Sequence, residues 1–424
     1  MSATRYNFQR KAYRWFIHGT SLCVYFSCCF LDLGSFRYVQ KDERLRKHST
    51  FWQWIAIAMC IKLGLLWLEF PFVLICFGWL YLLLIGDSSE FTENNTYYWV
   101  HLVAIIVISS ISTLQLLWLS HSSAYSALVV SIVNRVLHIN RIVRRNFGDE
   151  HFYSDDSLVL LFLLKMVLTL HHILAQYRPH EKNMIGVRYH TVNVILFEIF
   201  YCSYMLYQLL FLGWQRTLLA FLESYIALVK DRGSPTPDYY RKVIDVFDIY
   251  TQMAGIHFRV SSAWLRVSSM LFVSLYYTAH EATFTFYCLF AMSEIPLFTR
   301  AYLVILNKVG TCLHPLVAVL LMGMASDRLK HFEAQLCEKI FLIELLHSED
   351  DHLILQQFAR LISCKYRSFL LQQHSFPIRN FIWNRGSICD RDLVFDFFVY
   401  LIINATTYLQ FLIGDNTSIC EEAL

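Results

Sequence analysis

Runs of about twenty mostly apolar residues recur along this chain, and that length is what a helix needs to cross the hydrocarbon core of a bilayer. Seven stand out, at about 51–85, 98–125, 157–177, 190–214, 268–290, 301–325 and 393–413. The first is long and carries Lys62, Glu69 and Pro71, so it tilts or kinks. Composition points the same way. The 424 residues are 56% apolar and 16% charged, against roughly 45–50% and 25% for soluble domains. Mean hydropathy is +0.42. A net charge of +3 leaves no footprint for nucleic acid. The expected class is all-α: a polytopic membrane protein of seven transmembrane helices.

Positive charge sets the orientation of such a protein. Segments 1–50, 135–156, 215–267 and 326–392 fall on one side and together hold 29 Lys and Arg. Segments 86–97, 178–189, 291–300 and 414–424 fall on the other and hold 4. The N-terminus is therefore expected in the cytoplasm and the C-terminus outside. Glycosylation acceptors at Asn94 and Asn416 lie on the outer side of that scheme, while Asn404 lies within a span. Residues 13–34 are a further apolar stretch. Spanning would strand Arg37, Lys41, Arg44, Arg46 and Lys47 outside. An interfacial or bundle-packed helix is preferred over an eighth span or a signal peptide.

The expected organisation is a cytoplasmic segment 1–50 and a six-span ligand-sensing bundle over 51–325. A cytoplasmic helical segment for anchoring or assembly follows at 326–392, then a seventh helix at 393–413 and an outer tail at 414–424. Outer segments are short, so an external ligand must bind within the bundle. Segment 326–392 reads as helix and packs subunits together or simply prolongs the spans beyond the bilayer.

No enzyme, metal or cofactor is expected. His171, His172, His180 and His190 lack a close His-x-x-x-His spacing, and His280-Glu281 has no second His four residues after the first. Of 12 cysteines only Cys420 lies in an outer segment, which argues against an extracellular disulfide framework. A G-protein-coupled receptor would have its N-terminus outside, and no Asp-Arg-Tyr or Asn-Pro-x-x-Tyr stands at the corresponding helix ends.

The last span carries one polar stripe. Asp396, Tyr400, Ile403, Thr407, Gln410 and Gly414 recur at alternating steps of four and three. Polar groups on a lipid-compatible helix face protein or water. Repeated around an axis, Thr407 and Gln410 would offer oxygens to a cation, and Tyr400, Ile403 or Phe411 would close the path by dewetting. Alternatively the stripe bonds neighbouring helices within one bundle.

Gln410-Phe411 near the end of the last helix, with this layout, resembles the insect gustatory receptors. Their signature there is Thr-Tyr, five apolar residues, then Gln-Phe. Ile403-Asn404 occupies the Thr-Tyr register, and Thr407-Tyr408 occurs four residues late. Residues Leu31 to Tyr38 and the basic run Asn134 to Arg141 are also similar to the family's segments. The resemblance implies a subunit of a ligand-gated, non-selective cation channel made of four subunits, alike or mixed. It implies a small-molecule tastant, bitter or aversive by expectation, and the plasma membrane of a sensory neuron dendrite or axon. Insect odorant receptors share the architecture and are the near alternative. A seven-span receptor or a transporter is more distant.

Depth arithmetic suggests a pocket. At about 1.5 Å per residue, His171 lies about 21 Å up the third span and Glu281 about 20 Å up the fifth. Glu198 and Lys308 lie about 18 and 19 Å from the inside on the fourth and sixth. With His172 and His280 beside them, these groups share one level. They are expected to line a wet ligand cavity walled by Tyr276, Tyr277 and Tyr302. The alternative is a structural ion pair, Glu198–Lys308. Lys165, nearer the inside, is expected to be structural.

Overall fold

A computed structural model describes residues 3–30, 36–47, 123–148, 152, 155–176, 184–231, 235–265, 297–348, 353–375 and parts of 378–406. Spans 51–85 and 268–290, and most of 98–125, lie outside the described residues.

The described fold is predominantly helical. Helix α1 is Ala3–Phe30, α2 Ser123–Phe147, α3 Asp156–Gln176 and α4 Met184–Lys230. Helix α5 is Pro237–Leu265, α6 Leu297–Ser348 and α7 Leu353–Ser375. Residues 392–396 begin the last helix. The expectation of a purely α fold needs one amendment. Strands β1 (Phe36–Val39) and β2 (Arg44–Lys47) form one antiparallel ribbon. Strands β3 (Phe381–Ile382) and β4 (Asn384–Ile388) form another.

Helix α3 turns its apolar side chains outward. Asp155 caps it, accepting from the Leu158 N–H at 3.3 Å and the Ser157 hydroxyl at 2.7 Å. Leu160, Leu163, Leu164, Val167, Leu170 and Leu174 share its exposed face. The opposite face buries Phe162 with Lys165, Thr169 and His172. A helix on a water-soluble core shows the reverse, apolar in and polar out. Asp156–Leu174 is also long and apolar enough to cross a bilayer.

Helix α4 organises the core. Its 47 residues run about 70 Å, more than twice the hydrocarbon thickness. Tyr201, Met205, Gln208, Phe211, Gln215, Leu218, Leu222 and Tyr225 follow steps of three and four along its length, all fully buried. Helix α6, 52 residues long, packs against α3, α4 and α7. It runs without a break across residue 325, where the sequence divides a bundle from a cytoplasmic segment. Beyond that point Leu336, Ile340 and Ile343 pack within the subunit, while Phe341 and Leu345 remain exposed.

Helix α1 packs on α4, with Tyr13 and Ile17 buried and Phe16 edge-on to Phe162 at 5.6 Å. Its Thr20 and Ser21 hydroxyls donate to the Phe16 and Ile17 carbonyls, so these polar groups need no water. The β1–β2 ribbon rests on α2 through Asn134. Its side chain donates to the Leu45 carbonyl at 2.9 Å and accepts from the Leu45 N–H at 2.7 Å. Helix α2 ends at Gly148, whose φ of 87° lies in the left-handed region and whose N–H bonds the Arg144 carbonyl.

Candidate functional site

Three helices bring polar groups together in the apolar part of the bundle. Lys165 of α3 pairs with Glu198 of α4, both buried. The Lys165 ammonium also stands over the Tyr201 ring at 4.2 Å. Tyr201 in turn donates its hydroxyl to the Ala318 carbonyl of α6 at 2.8 Å. His172 stacks on His314 of α6 with centroids 4.8 Å apart. Glu198 Oε1 and His171 Nδ1 are buried without a hydrogen-bond partner among the described residues. A carboxylate satisfied on one oxygen only can take a donor on the other.

Among the described residues the cation on Glu198 is Lys165, and the expected pair Glu198–Lys308 lies outside them. Lys165 starts nearer the inside but reaches this level, since a lysine stem lets an ammonium sit well above its own Cα. Of the other residues expected at this level, Tyr276, Tyr277, His280 and Glu281 lie outside the described residues. Tyr302 and Lys308 fall on the α6 backbone, with side chains outside the described set. His314 joins the cluster without having been read from the sequence. Its signal was a lone His before Pro315 inside an apolar run.

A separate cavity of about 400 Å³ lies on the other face of α4, between α1, α2, α4 and α5. Its walls are mainly aliphatic and aromatic, with Ser21, Ser203, Tyr204, Tyr207 and Trp264 as the polar members. Trp264 stacks on Tyr204 at 4.6 Å and 8°. The Tyr204 hydroxyl donates to Asn380 Oδ1 at 2.7 Å, and the Gln208 amide donates to the same atom at 2.9 Å. Asn380 is fully buried just before β3. The wall of the cavity is thus bonded to the segment that leads into the last helix.

That helix is rooted by Asp390. Its carboxylate accepts from the Leu393 N–H at 3.1 Å as an N-cap and pairs with Lys330 of α6 at 3.1 Å. Burial alone would raise the Asp390 carboxyl, but the Leu393 N–H and the Lys330 ammonium outweigh it and hold it below its ordinary value. Val394 inserts against Gly323 of α6, where a Cβ would stand 2.5 Å from its methyl carbon. Beyond this root Phe395, Phe398, Val399, Ile402 and Ile403 are all exposed. Ile403 is thus a lone described member of the expected gate. Tyr400, Thr407, Gln410 and Phe411 lie outside the described residues, as do Asn94 and Asn416.

No family model matches the chain. Its sequence is 25% identical over 432 residues to Gustatory receptor-like 43a of Drosophila melanogaster, covering 99% of this chain and 96% of that protein. The relative carries the family name that the sequence resemblance gives. Among solved structures the chain is similar to the insect olfactory receptor OR5 from Machilis hrabei in complex with eugenol. That match has 12% identity and a TM-score of 0.47, over 95% of this chain and 98% of the other.

Proposed function

From the resemblance to the insect gustatory receptors, we propose that this chain is a subunit of a ligand-gated, non-selective cation channel that senses a tastant. The end-to-end similarity to a gustatory receptor-like protein carries this reading. The described part of the last helix supports it: Phe395, Phe398, Val399, Ile402 and Ile403 face its surroundings and not its own bundle. Four copies around an axis would enclose Thr407 and Gln410 as polar rings and Tyr400, Ile403 and Phe411 as a gate.

The ligand site is proposed at the level of His171, His172 and Glu198, with Tyr276, Tyr277, His280, Glu281, Tyr302 and Lys308 facing it from the other spans. The Glu198 oxygen without a partner among the described residues suits a donor on the tastant, and bitter or aversive compounds remain the expectation. Ligand binds better to the conformation with the last helices apart, so occupancy shifts the gate by that difference in affinity.

Current recordings on cells expressing the receptor, with a ligand panel and with co-subunits, test both halves. Gln410→Ala should alter conductance or ion selectivity, and Phe411→Ala should raise the basal current. If both variants conduct and select as wild type does, the pore assignment is lost. His171→Ala should shift the dose–response curve at normal surface expression, and an unchanged curve would remove the pocket.

A further inference from the structure

We propose that the cavity between α1, α2, α4 and α5 is a second binding site, for an uncharged lipophilic molecule bearing one hydrogen-bond acceptor. Its volume, about 400 Å³, lies in the range of small-molecule pockets, roughly 300–1,000 Å³. It is distinct from the polar cluster. Phe200, Ser203, Tyr204 and Tyr207 point away from the face of α4 that carries Glu198, Tyr201 and Cys202. On the span limits read from the sequence, residues 200–210 lie about 15–30 Å along a core of about 30 Å, in its inner half.

The walls define the ligand's chemistry. None of the described residues lining the cavity is Lys, Arg, His, Asp or Glu, so nothing there would hold a phosphate headgroup or a carboxylate. The Ser21 and Ser203 hydroxyls already donate to the Ile17 and Ile199 carbonyls. Tyr204 donates to Asn380, and Tyr207 meets His257 at 3.5 Å. The Trp264 indole N–H is left: this side chain is 4% exposed, and its nitrogen has no partner among the described residues. A buried donor of that kind favours a carbonyl or ether oxygen over a plain hydrocarbon. The occupant is therefore a free, neutral ketone, ester or ether that partitions from the bilayer, and not a phospholipid.

Photolabelling of the full-length receptor in nanodiscs reads this without any current, so it stands or falls apart from the channel assignment. The probes are a diazirine-bearing medium-chain methyl ketone, its matched alkane and a diazirine phospholipid. The ketone should label peptides of α4 around 200–210 and of α5 around 260–264, saturably. Trp264→Phe should weaken the ketone about fivefold, the worth of one hydrogen bond, and leave the alkane unchanged. Ala263→Trp should abolish saturable labelling by filling the space, and Ser203→Leu does the same should Ala263→Trp not fold. Labelling by the phospholipid at the same peptides, or labelling confined to the outer face of α3, would overturn the proposal. So would a Trp264→Phe effect that is equal for ketone and alkane.

Discussion

Lys165 and Glu198 are both buried, and each makes the other tolerable. Removing one partner leaves a charge with nothing opposite it, a change that costs about 3–5 kcal/mol in buried pairs. Replacing both by apolar residues of similar size is often neutral. Lys165→Met should therefore lower the thermal stability of the purified protein sharply, and Lys165→Met with Glu198→Leu should recover most of it. A double variant no better than the single would show that the pair does not act as a unit. The sequence makes such a cluster legible because an ionisable group in an apolar run must find company. It does not reveal which company. Residue counting along ideal straight helices sets Lys165 below Glu198, but the length of its side chain closes the gap. Asn380 and Trp264 carried no signal at all, since a polar residue in a loop and an aromatic in a helix have many ordinary places to be.

At the scale of elements, the last helix is joined to α6 by two contacts of different kinds. Asp390 caps the one and pairs with Lys330 of the other. Asp390→Asn keeps much of the cap but removes the ion pair. The folded carboxyl titrates below its ordinary value of 3.8. Its contribution is therefore present above that value and is lost as pH falls through the lower folded one. The stability gap between wild type and Asp390→Asn should stay constant from about pH 7 to 5 and close below about pH 4. A gap that closes near neutrality would point to a different titrating group. The second contact is steric. Gly323→Ala sets a methyl 2.5 Å from Val394 Cγ2, so one helix must yield. On the proposed channel function it should change the basal current, and Val394→Ala on top of it should restore the wild-type level. The helices themselves were readable from apolar run length. Their ends were less so: α4 and α6 continue well past the apolar runs because their later halves bury apolar faces against α5 and α7. The two ribbons were missed because strands of two to five residues hold too few alternations to register.

Across the whole molecule, the segments that the charge count assigns to one side meet at one end of the bundle. The β1–β2 ribbon bonds Asn134 at the basic end of α2, and Glu43 lies 3.9 Å from Arg141. Asp155, at the start of α3, holds Arg216 of α4 at 2.8 Å and Arg328 of α6 at 3.6 Å. Burial lowers the Arg216 guanidinium, and Asp155 offsets that penalty. One carboxylate thus ties three helices where the apolar runs begin, so Asp155→Ala should destabilise the fold through a lost cap and a stranded Arg216. On the proposed seven-span layout, a basic rim shared by four chain segments would face one side of a membrane. The orientation follows as a test that separates a channel subunit of this layout from a G-protein-coupled receptor. An epitope tag at the C-terminus should be reachable on intact cells, and one at the N-terminus only after permeabilisation. Asn416 should then carry glycan, and Asn416→Gln should remove the shift in mobility that a glycosidase produces. The opposite pattern of access would invert the chain and put its basic rim outside, against the charge asymmetry of 29 to 4. Both tags on one side would mean an even number of crossings, with α1 the first candidate for the extra one.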